Sequence, residues 1–470
     1  MTMAQTLFDK LWDLHAIDDL GDGTWLLLID RILLHERTGS VALESLRDAG
    51  RAVASPQHVF VTMDHIVDTL PGRSDKTIMP TGTQFITATR AAAQAAGITL
   101  FDIGDDRQGI VHVISPENGI VLPGATLVCP DSHTCTQGAL GALAWGIGST
   151  EAEHALATRT LRVKKPRTMR VRVDGTLGTG VTAKDLALHV VAKLGAAGAV
   201  GHMVEYAGEA VRALDIEGRL TLCNMATELS AFSAVIAPDE TTIAYLEGRP
   251  YAPKGAAWDE AVGFWQTLYT DDDAAFDAEH VIDAADVAPM VTWGTSPQQA
   301  VPLGNPVPEF AQGQGRWTAE AHQRALEYMG LAPGERLDAL PIQGAFIGSC
   351  TNARLSDLRR AAGVLKGKRV ADGVRAICVP GSTKVKAAAE AEGLDAVFRE
   401  AGFEWREAGC SMCFFAGGES FGHRERVITS TNRNFESRQG PETRSHLASP
   451  ETVAAAAIAG RIVDPRELRA

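Results

Sequence analysis

Two short turns, Gly348-Ser349-Cys350-Thr351-Asn352 and Gly409-Cys410-Ser411-Met412-Cys413, constrain this chain more than any other stretch. Cys350 and Cys410 are sixty residues apart, and the two turns together offer three thiols, two of them in a C-x-x-C. Four thiolates close a zinc or iron–sulfur site, whereas three leave one corner of a metal centre open. An open iron on a 4Fe–4S cluster is a Lewis acid suited to drawing hydroxide off a hydroxy acid. A bare C-x-x-C reads more simply as a redox or zinc motif beside an unrelated buried Cys350. The flanking residues argue against that simpler reading.

Pro341 to Ile347 is a short apolar run, the pattern of a buried strand. Thr351 or Asn352 is then expected to cap a helix whose apolar positions, Leu355, Leu358, Ala362 and Leu365, recur at helical spacing. Cys350 is thereby predicted on a strand-to-helix turn, near backbone N–H groups and the positive end of a helix, where a thiolate and an anionic ligand are stabilised. Gly409, Gly417 and Gly418 let the backbone come close to a bulky inorganic core.

At 470 residues the chain has core enough for two to three domains. Its 45% hydrophobic and 22% charged content is that of a globular protein. A net charge of -14 argues against nucleic-acid and acidic-membrane partners, so an anionic substrate must be drawn by local arginines. Seven cysteines without a cationic-then-apolar leader point to a reducing cytoplasm. No apolar run approaches the length of a membrane span.

Along the chain, Leu7, Leu11 and Leu14 mark a first helix, and Trp25 to Ile29 a strand closed by Asp30-Arg31. His35 and Glu36 follow, and read equally well as solvated charges at a strand end. Val59 to Met63 is a second strand, ending in Asp64-His65. A carboxylate beside an imidazole at a strand's carboxyl end can set the tautomer and raise the basicity of the ring. Such an edge is where open α/β sheets bind ligands, although a lone Asp-His pair is more often structural. His112 closes Gly109-Ile110-Val111-His112. An apolar strand, Ile120 to Val128, then leads into Cys129-Pro130-Asp131-Ser132-His133-Thr134-Cys135. Asp131, Ser132 and His133 put an acid, a hydroxyl and a base on one turn. No G-x-S-x-G elbow surrounds Ser132, and neighbours on an extended turn point apart, so a hydrolase triad is not expected. Cys129 and Cys135, at C-x5-C spacing, read as small core residues.

From Lys165 onward, Met169 to Val173 alternates as a strand and Lys184 to Leu194 reads as an amphipathic helix. After about Leu337 strand and helix alternate again, with Arg375 to Val379 and Val427 to Thr431 as strands. Ser382 and Lys384 are plausible carboxylate contacts. Arg433 and Arg438, close behind the last strand, carry guanidinium groups that clamp carboxylates through two parallel hydrogen bonds, which lysine cannot do.

The two cysteine turns, followed by Thr429-Ser430-Thr431-Asn432-Arg433-Asn434-Phe435-Glu436-Ser437-Arg438-Gln439-Gly440, resemble the aconitase superfamily, and most closely its two-subunit isopropylmalate branch. The resemblance runs over nearly the whole chain. It implies an α/β protein of three aconitase-type domains (1–164, 165–290 and 291–470) around a central 4Fe–4S cluster, lacking the fourth, swivelling domain of single-chain members. It implies Cys350, Cys410 and Cys413 as cluster ligands, with one iron not held by cysteine. It also implies Asp64, His65, His112, Asp131 and His133 as catalytic residues, and Asn224, Glu228, Asn432, Arg433 and Arg438 as substrate-binding ones. A small subunit would bring the catalytic base, and the substrate would be a small hydroxy di- or tricarboxylate. On this likeness the reaction is a dehydration and rehydration turning 2-isopropylmalate into 3-isopropylmalate in leucine biosynthesis. Gln137, where a histidine is usual, and the stretch Leu229 to Ala234 depart from that branch's pattern. They keep citraconate, methylmalate and homoaconitate open as substrates. Some superfamily members bind RNA, but the acidic charge and lack of a basic, aromatic-interleaved patch argue against that here.

Overall fold

Three runs of strands, each separated by helices, wind into three parallel sheets with one wiring. The computed structural model describes residues 4–311, 317–414 and 418–468; Gly417 lies outside them. In the first sheet the order across is Thr99–Phe101, Val59–Thr62, Arg31–His35, Thr126–Cys129, Leu143–Gly146, and every pairing is parallel. Numbered along the chain within the sheet, that order is 3-2-1-4-5. The third sheet, Phe403–Trp405, Arg375–Cys378, Gly344–Ile347, Arg426–Thr429, Arg444–Leu447, has the same order and is also all parallel. The second, Ser233–Val235, His202–Ala207, Arg167–Asp174, Ala278–Asp283, stops one strand short, at 3-2-1-4.

Strands covered by helices on both faces must be apolar throughout, not alternating. Val59–Thr62, Thr126–Cys129, Gly344–Ile347 and Arg426–Thr429 are accordingly buried at every position. In such sheets ligands bind beyond the carboxyl ends of the strands, where the order reverses. That place lies between strands 1 and 4. It is bounded by the turns after Arg31–His35 and Thr126–Cys129 in the first sheet, and after Gly344–Ile347 and Arg426–Thr429 in the third.

The chain packs as two compact units. One holds Met1–Asp64, Thr83–Thr176 and Ala199–Asp283, and so the first two sheets. The other holds His65–Gly82, Leu177–Gly198 and Ala284–Ala470, and so the third.

Three local expectations differ from the observed backbone. Asp30-Arg31 does not close a strand but turns a corner between two: Thr24–Leu28 pairs antiparallel in a small sheet, and Arg31 opens the first parallel strand. Asp30 holds that corner by accepting from Thr126 N at 3.0 Å and His15 Nε2 at 2.8 Å. The long strand expected from Ile120 shortens to Thr126–Cys129. Pro123 has no N–H for a ladder, and Gly124 takes φ +83°, a left-handed turn that a strand cannot contain. Finally, the helix after Cys350 runs Leu355–Leu365 with Arg354 at its cap position, whose N–H donates to Asp357 at 3.2 Å. Asn352 instead sends its side-chain amide to the other Asp357 oxygen at 3.0 Å. Cys350 therefore precedes the helix by a whole turn of irregular chain, further from the helix end than expected.

Candidate active site

In the first unit, the turn after strand 4 assembles a network of imidazoles and carboxylates. Asp131 lies in extended backbone and accepts the N–H of His133 at 2.7 Å, opening the 3-10 segment Ser132–Leu140. The same oxygen is 3.0 Å from His112 Nε2. Gln137 Nε2 lies 3.4 Å from His112 Nδ1, so Nδ1 accepts and Nε2 carries the proton towards Asp131. His133 has Glu228 3.2 Å from Nε2, with Ser132 Oγ 3.4 Å and Asp131 3.6 Å from Nδ1. An imidazole in touch with two carboxylates can pass a proton from one to the other. Asn224 supports the turn from behind, donating to Thr136 Oγ1 at 2.9 Å, which donates to the His133 carbonyl at 2.5 Å. Close packing requires Gly138 here, because a Cβ would stand 1.8 Å from the Ala234 carbonyl oxygen.

Asp64, wholly buried, accepts Val111 N at 2.9 Å and donates its own N–H to both oxygens of Glu36 at 3.0 Å. It thus joins strand 2 of the first sheet to the segment that carries His112. His65, next in the chain, belongs to the second unit.

In the second unit, the turns after strands 1 and 3 of the third sheet gather sulfur, and the turn after strand 4 brings Asn432 to it. Cys350, Cys410 and Cys413 are each 5–6% exposed, and no disulfide joins any of the seven cysteines. One hydroxyl, Ser349 Oγ, lies 3.1 Å from Cys413 Sγ and 3.9 Å from Cys350 Sγ. One amide does the same, with Asn432 Nδ2 donating to Cys350 Sγ at 3.4 Å and Oδ1 lying 3.9 Å from Cys413 Sγ. Cys413 N–H closes a single turn on Cys410 O at 3.0 Å. Two serines in this frame hold left-handed backbone, Ser349 at φ +84° and Ser411 at φ +47°, a local strain that the surrounding bonds must maintain. For Ser411 the maintenance is visible: its hydroxyl donates to buried Glu419, which also accepts Thr69 N at 2.9 Å and pairs with Arg406 at 3.1 Å.

Arg438 is 7% exposed, with its guanidinium carbon 4.9 Å from the ring centres of both Phe414 and Phe435. Its Nη2 reaches Cys413 Sγ at 3.9 Å, and its buried Nε has no hydrogen-bond partner among the described residues. An orphaned guanidinium N–H beside thiols fits a site built for an anion. Arg433 is half-buried on the same loop. Three buried thiols, two of them sharing one hydroxyl and one amide, fit an iron–sulfur cluster. Hydrogen bonds to sulfur of that kind tune such clusters.

Three fully buried groups of the second unit are shifted by their surroundings. Burial lowers the Lys184 ammonium to about 7, against the opposing pull of Asp357, Cys413 and Cys350. Burial also raises Asp185 to about 6, although it accepts Met290 N at 2.8 Å. His446 is pushed down to about 3 by burial and by the Arg426 guanidinium.

The expected residues divide cleanly. His112, Asp131, His133, Asn224 and Glu228 come together in the first unit, with Asp64 reaching Val111 beside His112, and Cys350, Cys413, Asn432 and Arg438 come together in the second. Glu36, which the sequence leaves open as a solvated charge, is 0% exposed and engaged with Asp64. The sequence gives no role to Ser349, Lys184 or Glu419: Ser349 stands inside a cysteine turn without a pattern of its own, Glu419 carries no motif, and Lys184 belongs to an ordinary amphipathic helix. Ser382 caps the helix Thr383–Ala391, its hydroxyl oxygen accepting Val385 N at 3.0 Å, which leaves the O–H proton available as a donor.

Comparison with known proteins places the chain in a family. Residues 9–460 match the aconitase family (aconitate hydratase). The chain is 50% identical over 467 residues, 99% of its own length and 98% of the relative's, to the 3-isopropylmalate dehydratase large subunit 1 of Bradyrhizobium diazoefficiens. Among solved structures, the holo-form of aconitase X from Thermococcus kodakaraensis aligns at TM-score 0.45 and 15% identity, over 87% of this chain and 84% of that one.

Proposed function

We infer the reaction from one premise: the chain belongs to the aconitase family. It is a hydro-lyase, and we propose that it is the large subunit of a 3-isopropylmalate dehydratase, interconverting 2- and 3-isopropylmalate in leucine biosynthesis. The observation that carries this reading is the sulfur frame of the second unit, in which Ser349 and Asn432 each touch both Cys350 and Cys413.

Cys350, Cys410 and Cys413 would hold a 4Fe–4S cluster, leaving one iron without a cysteine. When bound, such a cluster supplies Lewis acidity at that iron, for loss of hydroxide at neutral pH. Arg433 and Arg438 bind the substrate carboxylates, Arg438 packed against two aromatic rings. Asp131 orients His112 and His133, and His133 passes a proton to and from Glu228. His65, next to Asp64, protonates the departing hydroxyl, and Asn224 fixes the His133 backbone through Thr136. A small subunit supplies the base that takes the proton from the carbon beside the carboxylate. A double bond forms between the two carbons, and water re-adds with the positions of H and OH exchanged.

The division into 1–164, 165–290 and 291–470 gives each parallel sheet its own segment of chain. A reducing cytoplasm suits seven cysteines of which none is joined in a disulfide. A second reading has one observation in its favour. Ala231 and Phe232, in the stretch that departs from the isopropylmalate pattern, line a cleft of about 340 Å³ with Asp131 and Ser132. A different alkyl substituent there would move the substrate towards methylmalate.

The test is anaerobic turnover. The chain is reconstituted with iron and sulfide, mixed with its small subunit, and given 2-isopropylmalate and methylmalate in parallel. Formation of the unsaturated diacid is followed by ultraviolet absorbance. Turnover of 2-isopropylmalate that vanishes in Cys350→Ser is the expected result. Turnover of methylmalate alone would transfer the function to the second reading, and no turnover with no iron bound would sink the cluster assignment.

A further inference from the structure

Lys184 lies in the first turn of the helix Ala183–Leu194 and is 0% exposed. A cation belongs at the other end of a helix, and a buried ammonium is costly unless its donors are used. Here all three are used: Nζ reaches Asn352 Oδ1 at 3.2 Å, the Ser430 carbonyl at 2.7 Å and the Thr431 carbonyl at 2.6 Å. Three acceptors take three N–H groups, which only the ammonium form of lysine provides. The acceptors belong to the two turns at the switch point of the third sheet, one after strand 1 and one after strand 4. Asn352 passes the connection on to Asp357 at 3.0 Å, and Thr431 precedes Asn432, whose amide touches the Cys350 and Cys413 sulfurs.

We propose that Lys184 is a positioning residue, a buried clamp that ties the Cys350 turn to the turn carrying Asn432 and Arg433 and so sets the spacing of the sulfur frame. Its removal takes a buried donor away from two carbonyls and one amide oxygen, and the loss of a buried donor is relieved by movement of the chain that carries the acceptors. The two turns then separate, and the Asn432 amide moves off the sulfurs with them. The clamp itself needs no metal; its consequence for cluster retention rests on the function proposed above.

The experiment uses the full chain and two variants: Lys184→Met, which keeps the volume and loses the donors, and Lys184→Gln, which keeps two. Leu188→Ala, a core position of the same helix, is the control. Amide hydrogen exchange is read first on the chain without metal. In Lys184→Met, residues 348–353 and 430–434 are expected to exchange roughly tenfold to a hundredfold faster, together, with Lys184→Gln between it and wild type. Leu188→Ala is expected to loosen 183–194 and leave both turns protected. After reconstitution, Lys184→Met should lose iron roughly tenfold to a hundredfold faster than wild type, with a changed electron-paramagnetic signature of the reduced cluster. Lys184→Gln is the informative variant if circular dichroism finds Lys184→Met unfolded. Unchanged exchange in both turns, or equal loosening by Leu188→Ala, would overturn the clamp. Loosened turns in a chain whose wild type takes up no iron would leave the clamp standing and overturn the cluster reading instead.

Discussion

The first and third sheets share five parallel strands and one strand order, yet the turns at their switch points carry opposite chemistry. After strand 1 the first sheet has His35 and Glu36, and after strand 4 Asp131, Ser132 and His133. The corresponding turns of the third sheet are Ser349-Cys350 and Asn432-Arg433. One set consists of carboxylates, a hydroxyl and imidazoles, the other of a thiol, an amide and a guanidinium. The wiring decides where a site can be, and the turn residues decide what it does. The two are also supported differently. The first holds itself together by hydrogen bonds among its own functional groups, His112 to Asp131 and His133 to Glu228. The third relies on residues without reactive roles: left-handed Ser349 and Ser411, Glu419 beneath one turn and Lys184 beneath two.

The sharpest way to break this division of labour is to remove one member from each side. Cys350→Ser is expected to abolish iron binding and reduce turnover by more than about a thousandfold, by analogy with loss of a metal ligand. Asp131→Asn is expected to lose about a hundredfold to ten-thousandfold in turnover while retaining full iron. Iron and sulfide analysis beside the rate separates them, and iron loss in Asp131→Asn would show that the carboxylate–imidazole set is not independent of the sulfur frame. Arg438→Lys should retain its iron and raise KM by about tenfold to a hundredfold, since lysine cannot bind a carboxylate in two-pronged fashion. An effect on kcat alone would move Arg438 out of substrate binding.

Two smaller effects compare the sheets as structures. Gly138→Ala drives a methyl into the Ala234 carbonyl of the first unit and is expected to cost about 1–3 kcal/mol in urea unfolding. In the second unit, His446 donates Nδ1–H to the Thr292 carbonyl at 2.7 Å and accepts Arg426 Nη1 at 2.8 Å, so the folded state wants it neutral. Its folded value of about 3 lies below the ordinary 6.5. That contribution is present above pH 6.5 and is lost as pH falls towards 3. Acidification from pH 6.5 to 5 is expected to destabilise the second unit by about 1–2 kcal/mol. Exchange at 444–447 and at 31–35, measured at both pH values, tells whether the third sheet yields before the first.

Much of this was legible in the chain itself. The buried strands betrayed themselves as continuous apolar runs, as in Val59 to Thr62 and Gly344 to Ile347, because a strand covered on both faces has no polar side to show. The motif residues were legible because their chemistry is rare: three cysteines at the right spacing, Asp131 with His133, and Arg438 behind a short strand. Glu36 was not, since a carboxylate at a strand end looks the same whether it meets water or the Asp64 N–H. Neither Thr351 nor Asn352 takes the cap position expected of one of them, because asparagine serves equally well in a cap or in a long-range bond.

What the sequence alone determined was the inventory: parallel α/β sheets, a thiol set, a carboxylate–imidazole set and two guanidinium groups, each written in local patterns of a few residues. Tertiary structure decided which of these meet. His133 finds Glu228 ninety-five positions away, and Lys184 finds Thr431 across 247. Contacts of that range depend on how the whole chain winds, and their energy comes from burying a donor with its acceptor. No neighbouring residue records such a pairing, so only the folded chain reveals it.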